Sequence, residues 1–222
     1  MRKYLIFIFI IITGNLFASG GSPYSRYGIG DLYHYNSSIQ LSLGGTGVSL
    51  NSHKFLNSSN PASIFNLTNT KFNASLISNT SFLDDGSEDA TYSQVKFSGF
   101  NVAFPIKQDL GMAFTLGLKP YSNVRYNIIN QINEGTDSEA EETFEGSGGF
   151  SKIFIGISSI LPFDIAIGAT FDYYTGNVKY QSSYKDLSSS NIINSRFTND
   201  YKYKGLGATL GLISPDLSKY FG

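Results

Sequence analysis

The amino-acid sequence predicts an all-β protein, an antiparallel transmembrane β-barrel of which about six strands are present. Three observations predict it. After residue 70 the chain alternates with period two, most plainly at 110–119, where Leu110, Met112, Phe114, Leu116 and Leu118 oppose Gly111, Ala113, Thr115, Gly117 and Lys119. Strict alternation puts every apolar side chain on one side of a strand, which helical spacing does not do. The opposite face is built mostly of Gly, Ala, Ser and Thr, whereas a soluble sandwich usually sets Lys, Glu and Thr against water. The connections also differ in length. Those at 105–109 and 161–164 are short, while 127–147 and 177–199 are long and polar, as in barrels with short periplasmic turns and longer outer loops.

In chain order, residues 1–20 read as a secretory signal peptide. Arg2 and Lys3 supply the positive end, Tyr4 to Ile12 is a run of nine apolar residues, and Ala18-Ser19-Gly20 offers small residues for cleavage. The run falls short of the roughly 20 apolar residues a membrane-spanning helix needs. Residues 21–70 do not alternate cleanly. Strands are expected near 71–82, 93–104, 110–126, 149–160, 165–180 and 201–213, with a bulge near Gly99, where the apolar phase slips from Val95/Phe97 to Phe100/Val102/Phe104. A six-stranded sheet does not reach the usual minimum of about eight strands. The expectation is therefore that residues 71–222 are a partial barrel and that the 222-residue chain is a truncated product.

Composition removes most other classes. Charged residues make up 15% of the chain, against roughly 25% in an average soluble domain. With 18 Phe and 15 Tyr the chain is too aromatic for disorder. No cysteine is present, so a disulfide framework, a thiolate metal site, a thiol nucleophile and a lipidated cysteine are all excluded. A formal charge of −1 does not suit bulk electrostatic binding of nucleic acid. Gly44-Gly45-Thr46-Gly47 lacks the Lys-Ser/Thr of a phosphate loop, and no Gly-x-Ser-x-Gly elbow occurs. His34 and His53 are assigned to hydrogen bonding rather than catalysis. No catalytic residue, resident metal or cofactor is expected, and the protein reads as a non-enzyme. The acidic residues Glu134, Asp137, Glu139, Glu141, Glu142 and Glu145, with a second group at Asp84, Asp85, Glu88 and Asp89, read as outward loops with oxygen ligands of the kind hard cations prefer. Their spacing matches no EF-hand loop, and like-charge blocks are usually solvated.

Residues 21–70 carry the motifs Pro23-Tyr24-Ser25-Arg26-Tyr27-Gly28-Ile29-Gly30-Asp31-Leu32, Leu43-Gly44-Gly45-Thr46-Gly47 and Asn60-Pro61-Ala62. This Gly-rich stretch, the Asn-Pro-Ala motif about 15 residues on and the amphipathic strands that follow resemble the FadL family of outer-membrane hydrophobic-compound transporters. The resemblance implies a 14-stranded barrel whose N-terminal segment plugs the lumen, with Gly44, Gly45, Gly47, Asn60, Pro61 and Ala62 as the plug motif of residues 21–70. It also implies passage of long-chain fatty acids or similar molecules across the cell outer membrane. Glycines suit a plug because they let backbone approach the barrel wall closely.

If the phase is right, Thr115, Lys119, Lys152, Thr170, Asp172, Tyr174, Tyr201, Tyr203 and Thr209 face the lumen. The expected partners are outer-membrane lipid, a hydrophobic small molecule and protein components of a secretion system. One alternative function is a structural or type IX secretion-accessory barrel that binds proteins and transports nothing. Another is a soluble exported β-sandwich that binds a surface ligand.

Overall fold

In the computed structural model the described residues are 22–33, 37–52, 54–84, 89–133, 139–186 and 194–215. The expected signal peptide lies outside them, as do His34, His53, Asp85, Glu88, Glu134 and Asp137. Seven antiparallel strands form one sheet. A two-residue strand β1 (Asp31–Leu32) is followed by a short helix α1 (Ser38–Ser42) and then by six long strands. These are β2 (Lys71–Asp84), β3 (Asp89–Lys107), β4 (Met112–Ile132), β5 (Ala140–Leu161), β6 (Ile165–Asp186) and β7 (Asn194–Ile213). The order is β2-β3-β4-β5-β6-β7, with β1 paired to β4. Among the described residues no pairing joins β2 to β7, so the sheet is not closed into a barrel. No helix among them is long and apolar enough to cross a membrane.

Two compact units divide the chain. In the smaller, the described part of Ser78–Lys96 is a strand pair in which the Thr80 and Ser93 hydroxyls lie 3.4 Å apart. The larger holds the remaining described residues, and everything below concerns it.

The six expected strands are all present, and four are longer at their outer ends than the alternation indicates. Residues 127–147 and 177–199, expected as long polar loops, are mostly strand. β4 and β5 pair out to Ile132↔Ala140, and β6 and β7 out to Lys185↔Asn194. The acidic residues Glu139 to Glu145 thus lie at and within the start of β5 rather than in a loop. Register explains how they tolerate one another. Glu141 stands opposite Lys185, and Glu145 opposite Gln181, whose amide donates to the Glu145 carboxylate at 2.9 Å. Favourable cross-strand pairs stabilise a ladder whose outward face is polar.

The slip at Gly99 is visible as two successive buried residues, Ser98 and Gly99, between exposed Phe97 and the alternating run Asn101, Ala103. Gly99 takes φ +148°, a conformation that side chains rarely adopt. Two further irregularities have no counterpart in the sequence reading. One lies between Pro105 and Lys107, the other between Pro120 and Ser122. Pro120 has no N–H to give a ladder, so a break beside it is expected. The break leaves Tyr121 as the extra residue.

The alternating face of the inner half of the sheet is exposed where it is apolar. Register lines up Phe104, Phe114, Ile157, Ala169 and Leu210 in one row, and Val102, Leu116, Ile155, Phe171 and Ala208 in the next. A third row is Phe100, Leu118, Ile153, Tyr173 and Leu206. Leu210 is 83% exposed and Leu206 71%. The other side of these same strands carries Ala103, Ala113, Thr115, Lys152, Ser158, Thr170 and Asp172, all buried. In the outer half, beyond Ser151 and Thr175, the pattern reverses. Asn123, Arg125, Lys179, Asp200 and Lys202 share the outward side by register, and Val124, Tyr126, Phe150 and Val178 form a buried cluster on the inward side.

Candidate functional site

The buried side of the sheet is covered by the N-terminal segment in two places. Over the outer half, a 3-10 turn at Pro23–Arg26 is capped by Ser22, whose hydroxyl accepts from the Tyr24 N–H. The Ser25 hydroxyl then meets the β4 backbone, accepting from the Arg125 N–H at 3.1 Å, with its one proton shared between the Ser22 carbonyl at 2.7 Å and the Arg125 carbonyl at 3.1 Å. β1 adds Asp31↔Asn123 and Leu32↔Ser122, and the Arg26 guanidinium sits 4.6 Å from the Phe144 ring centroid. Gly30, at φ +87°, lies so close to Asn123 and Val124 that a Cβ would overlap both.

Over the inner half sits the Asn-Pro-Ala motif. Asn60 is the cap of the 3-10 turn Pro61–Ile64, its side-chain oxygen accepting from the Ala62 N–H at 3.0 Å. Pro61 at the first position of the turn has no N–H to lose. The Asn60 amide donates to the Val48 carbonyl at 3.0 Å and to the Leu212 carbonyl of β7 at 3.1 Å. Two strand glycines make the seat. A Cβ on Gly168 would overlap Pro61 and the Ala62 nitrogen, and one on Gly211 would overlap the Asn60 side chain. Leu56, Ile64 and Leu67 then close a small apolar cluster against Ala103 and Ala113.

The glycines of the first motif act at one remove. Gly44 and Gly45 take φ +68° and +81° and end α1, the Gly45 N–H returning to the Gln40 carbonyl at 2.8 Å. Gly47 places its carbonyl 2.6 Å from the Asn57 amide nitrogen, which also donates to the Leu50 carbonyl. Asn57 accepts in turn from Gln40 and from the Ser59 N–H. Gly44, Gly45 and Gly47 therefore shape a loop whose Asn57 anchors the turn leading into Asn60, Pro61 and Ala62.

All nine residues expected to face inward fall on one side of the sheet by register: Thr115, Lys119, Lys152, Thr170, Asp172, Tyr174, Tyr201, Tyr203 and Thr209. Seven of them fall into two groups. In the first, the Lys152 ammonium donates to the Asp172 carboxylate at 2.5 Å and to the Thr209 hydroxyl at 3.3 Å. Thr209 and Thr170 donate to the two Asp172 oxygens at 2.8 and 2.9 Å. Asp172 is 1% exposed, so a buried carboxylate is satisfied by three donors on three strands. The second group is aromatic. Tyr174 meets Tyr121 edge-on at 4.9 Å, Tyr203 meets Phe150 at 5.0 Å, and Tyr201 lies between Tyr180 and Tyr203. Thr115 belongs to neither, donating to the Val102 carbonyl. The alternation of β4 carries Tyr121 to the end of the apolar outward face, and the bulge at Pro120–Ser122 turns it inward against Tyr174 instead; Phe150 is absent from the expected inward residues.

A cavity of about 190 Å³ lies between the two layers, lined by Ser58, Ser59 and Pro61 from the segment and by Lys119, Lys152, Phe154, Thr170 and Thr209 from the sheet. Among the described residues no group of His, Asp or Glu is arranged to hold a metal ion.

No curated protein and no solved structure matches the chain. A family model does: the BamG model matches residues 1–218. This overturns the FadL-like resemblance and the passage of fatty acids or other hydrophobic molecules read from it. The motifs that suggested transport are short glycine and Asn-Pro turns. Their structural work here is to end α1 and to seat a turn on Gly168 and Gly211, and neither task is particular to a transporter. The partner-binding alternative lies closer to the finding, since the family implies association with the outer membrane and with protein partners. Matched along residues 1–218, the chain belongs to the BamG family.

Proposed function

We propose that the protein is an integral outer-membrane component of the BAM complex. It binds protein partners during outer-membrane protein assembly and transports nothing. The observation that carries its membrane part is the inverted exposure of the inner half of the sheet. Apolar side chains stand on the open side, and a satisfied Lys-Asp pair lies on the covered side. In water that arrangement would be unfavourable, because each exposed aliphatic side chain forgoes about 1.5–3 kcal/mol of burial. In lipid it is the expected order, with an apolar outer band and a polar interior. On β5 the band runs from Ile153 to Leu161, nine residues, and a spanning β-strand needs about 9–11. Residues 22–70 serve as a fixed plug over the inward face. No catalytic step is assigned.

The outer half of the sheet, with a polar outward side, stands clear of the hydrocarbon and is where soluble partners are reached. The test is photo-crosslinking in native outer membranes. A crosslinker at Lys179 or Lys202 is expected to capture BAM components, and one at Leu210 mainly lipid. Extraction of the protein by carbonate or salt without detergent would refute the integral placement. An absence of BAM components from crosslinks and from mild-detergent co-purification would refute the partner.

A further inference from the structure

We propose that the cavity between the Ser58–Pro61 turn and the sheet binds an oxyanion of the phosphate class, which pins the N-terminal segment to the strands. The cavity has room for about six waters at ~30 Å³ each, more than a packing defect needs. Its described lining offers two ammonium groups, Lys119 and Lys152, and the hydroxyls of Ser58 and Ser59, while the hydroxyl protons of Thr170 and Thr209 are already given to Asp172. No carboxylate is among those residues. Lys119 and Lys152 are direct cross-strand partners on the covered face. Like charges so placed repel, and an anion between them turns repulsion into two charge-assisted hydrogen bonds.

Asp172 does not fill this role. Its two oxygens already take Lys152, Thr170 and Thr209, and it is not among the residues that line the cavity. Lys152 has three N–H donors, of which Asp172 and Thr209 use two. The donors also come from both layers, so a bound oxyanion bridges them. The Lys119–Lys152 row stands where the outward face changes from Leu118 and Ile153 to Pro120 and Ser151. That is the level at which lipid phosphates would lie on the proposed membrane placement. A free phosphate and a lipid headgroup are the two sources of the same chemistry.

The experiment titrates inorganic phosphate into the full chain in a zwitterionic detergent, with chloride at matched ionic strength as control. The lysines carry ¹³C-methyl groups introduced by reductive methylation. Saturable shifts of two lysine resonances, assigned to Lys119 and Lys152 by Lys→Arg variants, are expected. Affinity should fall at least tenfold in Lys119→Met. Shifts seen only when phosphatidylglycerol is mixed into the micelle identify the headgroup as the source and equally support the site. Shifts spread over all lysines, the same response to chloride, or no response to either probe would overturn the proposal. So would unchanged affinity in Lys119→Met. If that variant fails to fold, the wild-type titration still decides. Loss of the BAM assignment would leave this result standing, because it needs only the segment and the strands.

Discussion

Strands β4 to β7 pass through two regions with opposite polarity, and on β5, β6 and β7 the phase does not change between them. On β5 the odd-numbered residues point outward throughout. They are Ile153, Ile155 and Ile157 in the inner half and Glu141, Thr143, Glu145 and Ser147 in the outer half. The even-numbered residues are Lys152, Gly156 and Ser158 in the inner half, and Phe144, Gly146 and Phe150 in the outer. A slip of one residue would exchange the faces in both halves at once, so each half enforces the register of the other. On the proposed membrane placement, what differs is the solvent around each half. The outer half has the order of a protein in water, apolar within and polar without. The inner half has the order of a protein in lipid. Only β4 needs a correction where the regions meet, and the bulge at Pro120–Ser122 supplies it.

The contrast breaks most forcefully if charge is placed in the apolar band. Ile155→Arg with Phe171→Arg puts two guanidinium groups side by side on adjacent strands. At about 2–4 kcal/mol for each arginine near the bilayer midplane, the pair is expected to abolish insertion. The fraction resisting protease after folding into vesicles measures it. Arginine at Asn177, outward in the outer half, is the control and should insert like the wild type. Equal behaviour of the two would end the lipid reading.

Next in size is the inward polar group of the inner half. Asp172→Ala leaves the Lys152 ammonium buried without its carboxylate, a change that costs roughly 3–5 kcal/mol. Lys152→Met with Asp172→Leu removes both charges and should recover most of the loss. Urea unfolding midpoints of the three proteins in the same detergent check this. A double variant as unstable as the single one would mean that the pair positions something beyond itself.

The inner half was largely legible in the sequence, and the outer half was not. In the inner half the two faces differ sharply in hydropathy, so period two stands out at 110–119, 151–158, 165–174 and 205–212. In the outer half the outward residues are Asn, Glu, Lys and Ser and many inward ones are glycine. Gly146 and Gly176 pack against Tyr126 and Gly149, where a Cβ would not fit. With a polar face against a small one the alternation fades, and strand reads as loop. What holds those residues extended is pairing with neighbours such as Lys185 for Glu141, which only the register shows. The covering segment was recognisable as a distinct region and its Asn-Pro-Ala motif stood out. The seat for that motif, Gly168 and Gly211, lies more than a hundred residues away in alternating strands where a glycine looks ordinary.

That seat provides a prediction of intermediate size. Gly168→Val must displace Pro61 and Ala62, at about 1–3 kcal/mol for overpacking. The strands themselves should survive, since valine suits a strand. The expected outcome is a folded sheet by circular dichroism whose residues 51–67 are cut by protease faster than in the wild type. Unchanged cleavage would mean that the segment is held mainly by its other contacts. Gly205→Ala, a strand site where a Cβ would meet nothing nearer than the Tyr174 Cβ at 3.9 Å, controls for the effect of losing a glycine as such.

The smallest change sharpens the comparison at the other end. Ser25 does for the outer half what Asn60 does for the inner. Its hydroxyl joins the covering segment to the backbone of one strand, Arg125 of β4, without any charge. Ser25→Ala leaves the Arg125 N–H and carbonyl without that partner, in a place closed to water because Ser25 is fully buried. The expected loss is about 1 kcal/mol, seen as faster amide exchange at Arg125 with little change at Leu212. Asn60→Ala should give the reverse, with exchange altered around the inner seat and preserved at Arg125. If either substitution loosened both places equally, the segment would dock as one unit. Separate responses would mean that it is fastened twice, once to the half with a polar outward face and once to the half with an apolar one.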